Sequence, residues 1–169
     1  MKNVYDIDVE ILLLTDKNNI FINKIKENNI RIYISPYQKI RSIKNIFYIL
    51  QHIKKNKYDV VHSHLFPCNY WASIASRLLS KNKPKFITTE HNTHNKRRDK
   101  VYFRPIEKLI YSNYDTIISI SEGTQQNLMS WLKFKNKDRF VIIENGINLE
   151  DFINAEPYKK SDLDSSFNE

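Results

Sequence analysis

The chain has 169 residues, of which 41% are hydrophobic and 12% aromatic, enough for the core of one domain and too many for a disordered protein. It contains neither a run of about 18 to 20 apolar residues nor an apolar signal core at its start, so we predict a cytoplasmic protein without a membrane span. The net charge of +8 fits a solvated lysine-rich surface, but it also fits contact with an anionic membrane face, nucleic acid or phosphorylated substrates.

Segments with the spacing of strands and helices alternate along the chain. Strands are predicted at residues 9–15, 30–35, 58–63, 84–89, 116–121 and 140–143. Helices are predicted at residues 20–28, 40–53, 69–79, 105–111 and 122–132. Because apolar strands separated by helices are typical of a parallel sheet, we expect an α/β, Rossmann-like fold with helices on both faces.

Two residue counts limit the kinds of site that this sequence can form. The single cysteine, Cys68, excludes an internal disulfide and a zinc site built on cysteines. The two glycines, Gly123 and Gly146, lie far apart, whereas a loop that cradles phosphates needs closely spaced glycines. We therefore predict no bound cofactor and no nucleotide fingerprint within this chain.

Polar residues follow four predicted strands in succession, at the point where each strand ends. They are His62 and His64, residues 90–94, Ser121 with Glu122, and residues 144–146. Ligands of open parallel sheets bind at the carboxyl ends of the strands. This repetition is a stronger indication of a binding site than any one of these residues.

Three of these groups have alternative interpretations. His62 and His64 face the same side of a strand and could chelate a metal, but no aspartate completes such a site, and we predict none. Two interpretations of these histidines remain: ordinary hydrogen bonding, and a substrate-facing role for His64. Residues 90–98 form either a solvated loop or a site in which a histidine and neighbouring arginines hold a sugar or phosphate.

Ser121 lacks the G-x-S-x-G pattern of a nucleophile elbow. It is instead typical of a helix N-cap, either alone or with a ligand at the exposed amides of the helix start.

The residues that carry these features resemble the N-terminal domain of retaining glycosyltransferases of family 4, which have the two-Rossmann GT-B fold. The matching segments, in order, are residues 58–64, 72–78, 86–92, 104–109, 114–122 and 141–152. The resemblance lies in the order and spacing of these segments more than in any one motif.

The resemblance implies a role for each candidate site residue. His91 would lie in the interdomain cleft near the donor sugar and the reacting hydroxyl, as the catalytic residue. Residues that would line the acceptor or substrate side are His64, Asn92, Lys96, Arg97, Arg98, Ser121 and Glu122, with the three cations holding an anionic acceptor. Asn145 and Gly146 would form the hinge to a second domain.

The sequence departs from the family pattern at both ends. A first strand, a glycine-rich loop and a helix would precede residues 9–15, and a second domain would bind the nucleotide diphosphate. We therefore expect residues 1–147 to form a partial N-terminal domain whose sheet has two unpaired inner edges. Residues 148–169 would hold the start of the second domain and a disordered polar tail, and the isolated chain would be inactive.

The resemblance implies an enzyme that transfers a sugar from a nucleotide sugar to a glycan or lipid-linked acceptor, with retention of configuration. Bacterial surface polysaccharide synthesis, at the inner face of the membrane, is the expected setting. The alternative is a non-catalytic module that binds the acceptor or docks on a partner. Nucleic-acid binding is not expected, because the chain has no reading helix and no aromatic stacking motif.

Overall fold

The computed structural model describes residues 7–79, 83–146, 149 and 153–155, and the predicted elements follow one another there in the predicted order. The strands are β1 (Glu10–Leu13), β2 (Arg31–Ile34), β3 (Val60–His64), β4 (Lys85–Glu90), β5 (Thr116–Ser119) and β6 (Phe140–Ile142). The helices are α1 (Ile22–Glu27), α2 (Lys44–Asn56), α3 (Cys68–Leu78), α4 (Phe103–Ser112) and α5 (Glu122–Leu132). The α/β, Rossmann-like class is confirmed.

The strands form two parallel sheets. β1 pairs with β2, and the second sheet has the order β3-β4-β5-β6. Within the described residues β1 and β3 belong to different sheets, and each pairs with one strand, as β2 and β6 also do. Side chains connect the starts of these two strands: the Tyr58 hydroxyl donates to the Glu10 carboxylate and lies 2.7 Å from Nε2 of His52. A cleft of about 580 Å³ lies beside this contact and is lined by residues of both strand starts.

Helices α2, α3, α4 and α5 pack against one another in that order, and α3 and α5 pack against strands of the second sheet. The core between helices and strands contains buried side chains from each layer, among them Ile49, Ala75, Phe86, Ile117 and Leu128. On β3 only Val61 and Ser63 turn towards this core, whereas Val60, His62 and His64 are exposed. The prediction of a buried strand at residues 58–63 therefore holds for one face of β3.

The helix predicted at residues 40–53, with its apolar side formed by Ile40, Ile43, Phe47, Leu50 and Ile53, is partly wrong. The helix begins at Lys44, and its buried side chains are Asn45, Ile46, Ile49 and Ile53, whereas Ile43 and Phe47 are 65% and 61% exposed. The cause is Asn45, whose amide donates to the carbonyls of Lys39 and Ile40 and whose Oδ1 accepts from Ser35. These hydrogen bonds hold the residues before Lys44 in a loop, so the helix cannot extend back to Ile40.

Helix α5 has the predicted bounds because its start is fixed locally. Ser121 is the N-cap, and its Oγ accepts from the backbone N–H of Thr124 at 3.2 Å. Replacing Ser121 by alanine should lower the free energy of unfolding by about 1 kcal/mol, the usual cost of losing a serine cap. Urea unfolding measures this, with Ser130→Ala on the exposed face of α5 as the control. Equal effects of the two substitutions would show that the cap contributes nothing.

Among the residues that the structure describes, no helix combines the length and the apolar character needed to cross a membrane.

Candidate functional site

Three histidines meet where β3 and β4 end. In the parallel register His64 lies opposite Thr89, so the residues after the two strands are neighbours. Nδ1 of His64 is 3.2 Å from Nε2 of His91, and the rings of His62 and His64 are 4.2 Å apart. His62 also bonds through Nε2 to the Thr89 hydroxyl at 2.8 Å. We call His62, His64 and His91 the histidine cluster.

The surroundings of His62 and His64 favour the neutral form of these two imidazoles. His62 is exposed on one side, but neighbouring groups remove part of the water around its ring. This partial desolvation, and then the neighbouring His64 and His91, lower the pKa of His62 to about 4. Burial, followed by His91, also lowers the pKa of His64. A neutral imidazole offers one donor and one acceptor, which is the pattern needed to bind a sugar hydroxyl. Within residues 7–79 and 83–146 no group of three or more His, Cys, Asp or Glu side chains is arranged to hold a metal ion.

The lowered pKa of His62 predicts a pH-dependent stability. The unfolded chain binds a proton near the ordinary pKa of 6.5, while the folded chain resists it down to about 4. The stability present above pH 6.5 should therefore be lost progressively as the pH falls towards 4. Urea unfolding between these pH values measures the slope, and His62→Gln, which keeps a donor for Thr89, should make it shallower. Parallel profiles for the two proteins would rule out His62 as the titrating group.

The loop after β4 is held by a buried ion pair. Nη2 of Arg98 donates to Glu90 at 2.9 Å, and the two side chains are 3% and 8% exposed. The Tyr111 hydroxyl donates to the same carboxylate, and burial raises the pKa of Tyr111, which keeps that proton in place. Arg98 also donates to the carbonyls of Asn92 and Thr93, so the loop folds around its guanidinium.

A second buried carboxylate, Glu107 on α4, connects this loop to the helix layer. It accepts from Tyr70 Oη at 2.9 Å, Arg97 Nε at 3.0 Å and Trp131 Nε1 at 2.7 Å. Its side chain is 0% exposed. Every oxygen of Glu107 therefore has a partner, and α3, α4, α5 and the loop meet at one charged group.

The structure assigns the three predicted acceptor-binding cations to different surroundings. Lys96 is exposed, whereas Arg97 and Arg98 are engaged by Glu107 and Glu90. Arg98 is buried and would have to break its ion pair to reach a ligand. The sequence analysis missed Glu107, although an acid on the helix face that also carries Ile110 and Tyr111 was the available signal.

The remaining candidate residues lie near the same edge of the sheet. Asn92 is exposed beside His91, and its N–H donates to Glu90. Ser121 and Glu122 begin α5, which contacts the loop after β4 through the hydroxyls of Thr93 and Thr124, 3.2 Å apart. The predicted hinge residues Asn145 and Gly146 are exposed after β6. A Cβ on Gly146 would meet no atom within 4 Å, so this conformation does not itself require a glycine.

Comparison with known proteins finds one family and a group of similar solved structures. A family model described as Glycosyltransferase Family 4 matches residues 6–151. HepE (Alr3699) of Anabaena, solved in complex with UDP and glucose, is 13% identical with a TM-score of 0.64, over 83% of this chain and 37% of that chain. A glycosyltransferase of Rickettsia africae ESF-5 is 22% identical with a TM-score of 0.58. That match covers 88% of this chain and 38% of the other. No curated protein matches the sequence. The chain thus spans well under half the length of these two structures, and at such identities they support the fold alone.

Proposed function

This chain belongs to glycosyltransferase family 4, and we propose that it is the acceptor-side half of an enzyme that moves a sugar from a nucleotide sugar to a glycan or lipid-linked acceptor with retention of configuration. The observation that carries the proposal is the meeting of His64 and His91 at the carboxyl ends of adjacent parallel strands. That edge is where open α/β sheets bind their ligands.

His91 is the proposed catalytic residue. It follows β4 directly, and its contact with His64 orients the imidazole at the edge of the sheet. The backbone N–H of Asn92 donates to the Glu90 carboxylate, which Arg98 and Tyr111 also hold, so the residues around His91 are firmly placed. A histidine fixed in this way can donate a hydrogen bond to a hydroxyl of the donor sugar as charge develops there.

The acceptor side is proposed to consist of His64, Asn92, Lys96, Ser121 and Glu122. Lys96 is the exposed cation of the loop after β4 and suits a phosphate of the acceptor. Arg97 and Arg98 are proposed to stabilise the loop rather than to contact the acceptor, because each already binds a buried carboxylate. They keep the loop in the conformation that presents Asn92 and Lys96.

The nucleotide part of the donor is proposed to bind mainly through a second domain, as in the GT-B fold. A departing diphosphate needs cationic stabilisation, and Arg97 and Arg98 are already engaged by Glu107 and Glu90. The proposed division places the partial N-terminal domain at residues 1–147 with the hinge at Asn145 and Gly146. The rest of the chain, residues 148–169, lies largely outside the described residues. A role in bacterial surface polysaccharide synthesis, in the cytoplasm at the inner face of the membrane, completes the proposal.

The experiment is a screen of nucleotide sugars with the polypeptide that the locus encodes, including the sequence that flanks this chain. Release of nucleoside diphosphate in the presence of a glycan or polyprenyl-phosphate acceptor is expected with one donor. Product analysis by NMR then gives the configuration of the new bond. If no nucleotide sugar is bound or consumed, the enzymatic role is wrong.

A non-catalytic module that binds the acceptor or docks on a partner is the second candidate. The engagement of Arg97 and Arg98 inside the fold favours it, because neither guanidinium is then free to bind a diphosphate. Acceptor binding in calorimetry without turnover of any nucleotide sugar would support this candidate over the first.

A further inference from the structure

A cavity of about 260 Å³ lies between helix α2 and strand β2. Its walls are Tyr33 of β2 and a row of α2 residues: Tyr48, Gln51, His52, Lys55 and Asn56. The row shares one side of α2, because its members follow each other at intervals of three and four residues. We call this space the aromatic cavity. It lies beside the last turns of α2, before β3 begins, whereas the histidine cluster lies where β3 and β4 end, so the two places are separate.

Three aromatic rings form the wall of the aromatic cavity. The rings of Tyr33 and His52 have centres 4.4 Å apart and meet at 62°. The Tyr48 ring is 6.2 Å from the His52 ring at an angle of 27°, and the Tyr48 hydroxyl donates to the carbonyl of Ile34 at 3.2 Å. The faces of aromatic rings carry partial negative charge, which attracts the polarised C–H groups of a sugar. Rings set at an angle suit a puckered pyranose better than a flat nucleobase, which stacks between parallel faces.

The His52 ring at the centre of this wall is fixed at both nitrogens. Burial, and then the hydrogen bond to Glu10, raise the pKa of Tyr58, so the Tyr58 hydroxyl keeps its proton and donates to Glu10. Nε2 of His52, 2.7 Å from the same hydroxyl, is therefore the N–H donor, and Nδ1 is the acceptor. Nδ1 lies 3.4 Å from the amide nitrogen of Asn56, which also donates to the His52 carbonyl at 3.0 Å. A ring held in this way needs little further ordering when a ligand binds.

The polar groups of the aromatic cavity are available to a ligand. Among the residues that the structure describes, Gln51 and the Tyr33 hydroxyl make no hydrogen bond. An amide both donates and accepts, which matches the hydroxyl groups of a sugar. Burial lowers the pKa of His52, which keeps its ring neutral, so the ionised side chain among the described residues of the wall is Lys55. An ammonium group beside a sugar ring favours a carboxylate on that sugar.

We propose that the aromatic cavity binds a hexuronic acid unit of a glycan. The pyranose ring lies against the tyrosine rings, its hydroxyl groups bond to Gln51, and its carboxylate accepts from Lys55. Sites for drug-sized ligands span about 300 to 1,000 Å³, so a cavity of about 260 Å³ suits one sugar ring. The identification of this glycan with the acceptor rests on the proposed function: the cavity would hold a unit of the acceptor far from its reacting end.

The test is a titration of the full chain with methyl β-D-glucuronide, followed by proton–nitrogen NMR, with methyl β-D-glucoside as the neutral counterpart. We expect shifts in β2 and the last turns of α2, a roughly millimolar dissociation constant for the glucuronide, and weaker binding of the glucoside. Lys55→Ala should weaken glucuronide binding about tenfold and remove the difference between the two sugars. Gln51→Ala should weaken binding of both sugars. Matched controls that do not line the cavity are Lys54→Ala and, on α5, Gln126→Ala.

Three results would overturn the proposal: equal binding of the two sugars by the unchanged chain, equal effects of Lys54→Ala and Lys55→Ala, or shifts confined to the histidine cluster. Uridine that displaces the glucuronide would instead assign the cavity to a nucleobase. Gln51 and Lys55 are exposed and act separately, so the test survives the misfolding of one variant, which the unfolding midpoint would detect. The readout needs no sugar transfer, so an active enzyme that does not bind the glucuronide here refutes this cavity alone.

Discussion

Replacing Glu107 by alanine is expected to lower the free energy of unfolding by about 3 to 5 kcal/mol, the cost of removing one partner from a buried ion pair. The substitution leaves Arg97 without its carboxylate and removes the acceptor of Tyr70 and Trp131. Donors left buried without partners add to the loss. Urea unfolding followed by tryptophan fluorescence measures the change, and Trp131 itself reports on the site.

Glu27→Ala is the control for this prediction, because Glu27 is an exposed carboxylate near the end of α1. It should change the free energy of unfolding by no more than about 0.5 kcal/mol. Glu107→Gln should lower the free energy of unfolding by an amount between those for Glu107→Ala and Glu27→Ala. The amide oxygen still accepts a hydrogen bond, but it no longer balances the charge of Arg97. A loss for Glu107→Ala as small as that for Glu27→Ala would mean that the buried network contributes no stability.

Replacing His91 by alanine is expected to reduce kcat of the complete enzyme by about 10² to 10⁴-fold, the range found when a group acting on the transition state is removed. The proposed physical reason is that the imidazole assists at the reacting sugar, while the nucleotide binds elsewhere. KM for the nucleotide sugar should therefore change much less than kcat. Initial rates of nucleoside diphosphate release measure both constants.

His94→Ala provides the matched control for His91→Ala. His94 is on the same loop, but it is exposed and contacts Asp99 rather than the histidine cluster. Its substitution should leave kcat nearly unchanged. If both variants lose the same activity, the loop as a whole matters and His91 has no catalytic role of its own. Unfolding midpoints of both variants separate a loss of activity from a loss of structure.

The sequence alone predicted the order and type of the elements, because these depend on local features. Alternating apolar runs predicted the six strands described above to within a few residues, and the Ser121 cap predicted the start of α5. The edge that carries the polar residues was also predictable, since parallel strands place their carboxyl ends at one edge. His64 and His91 were therefore expected at the same edge, whereas the 3.2 Å distance between their ring nitrogens was not predicted.

The tertiary structure alone decided which charged and apolar side chains are buried. Arg97 seemed available for an acceptor because its partner, Glu107, lies on the next helix and is buried next to Trp131. Arg98 seemed available because its partner, Glu90, is buried by the fold at the end of β4. Phe47 seemed part of the core, but the buried and hydrogen-bonded Asn45 faces the interior, and Phe47 lies on the opposite, exposed side of the helix. Burial depends on contacts between segments that are distant in the sequence. The periodic pattern of one segment carries no information about those contacts.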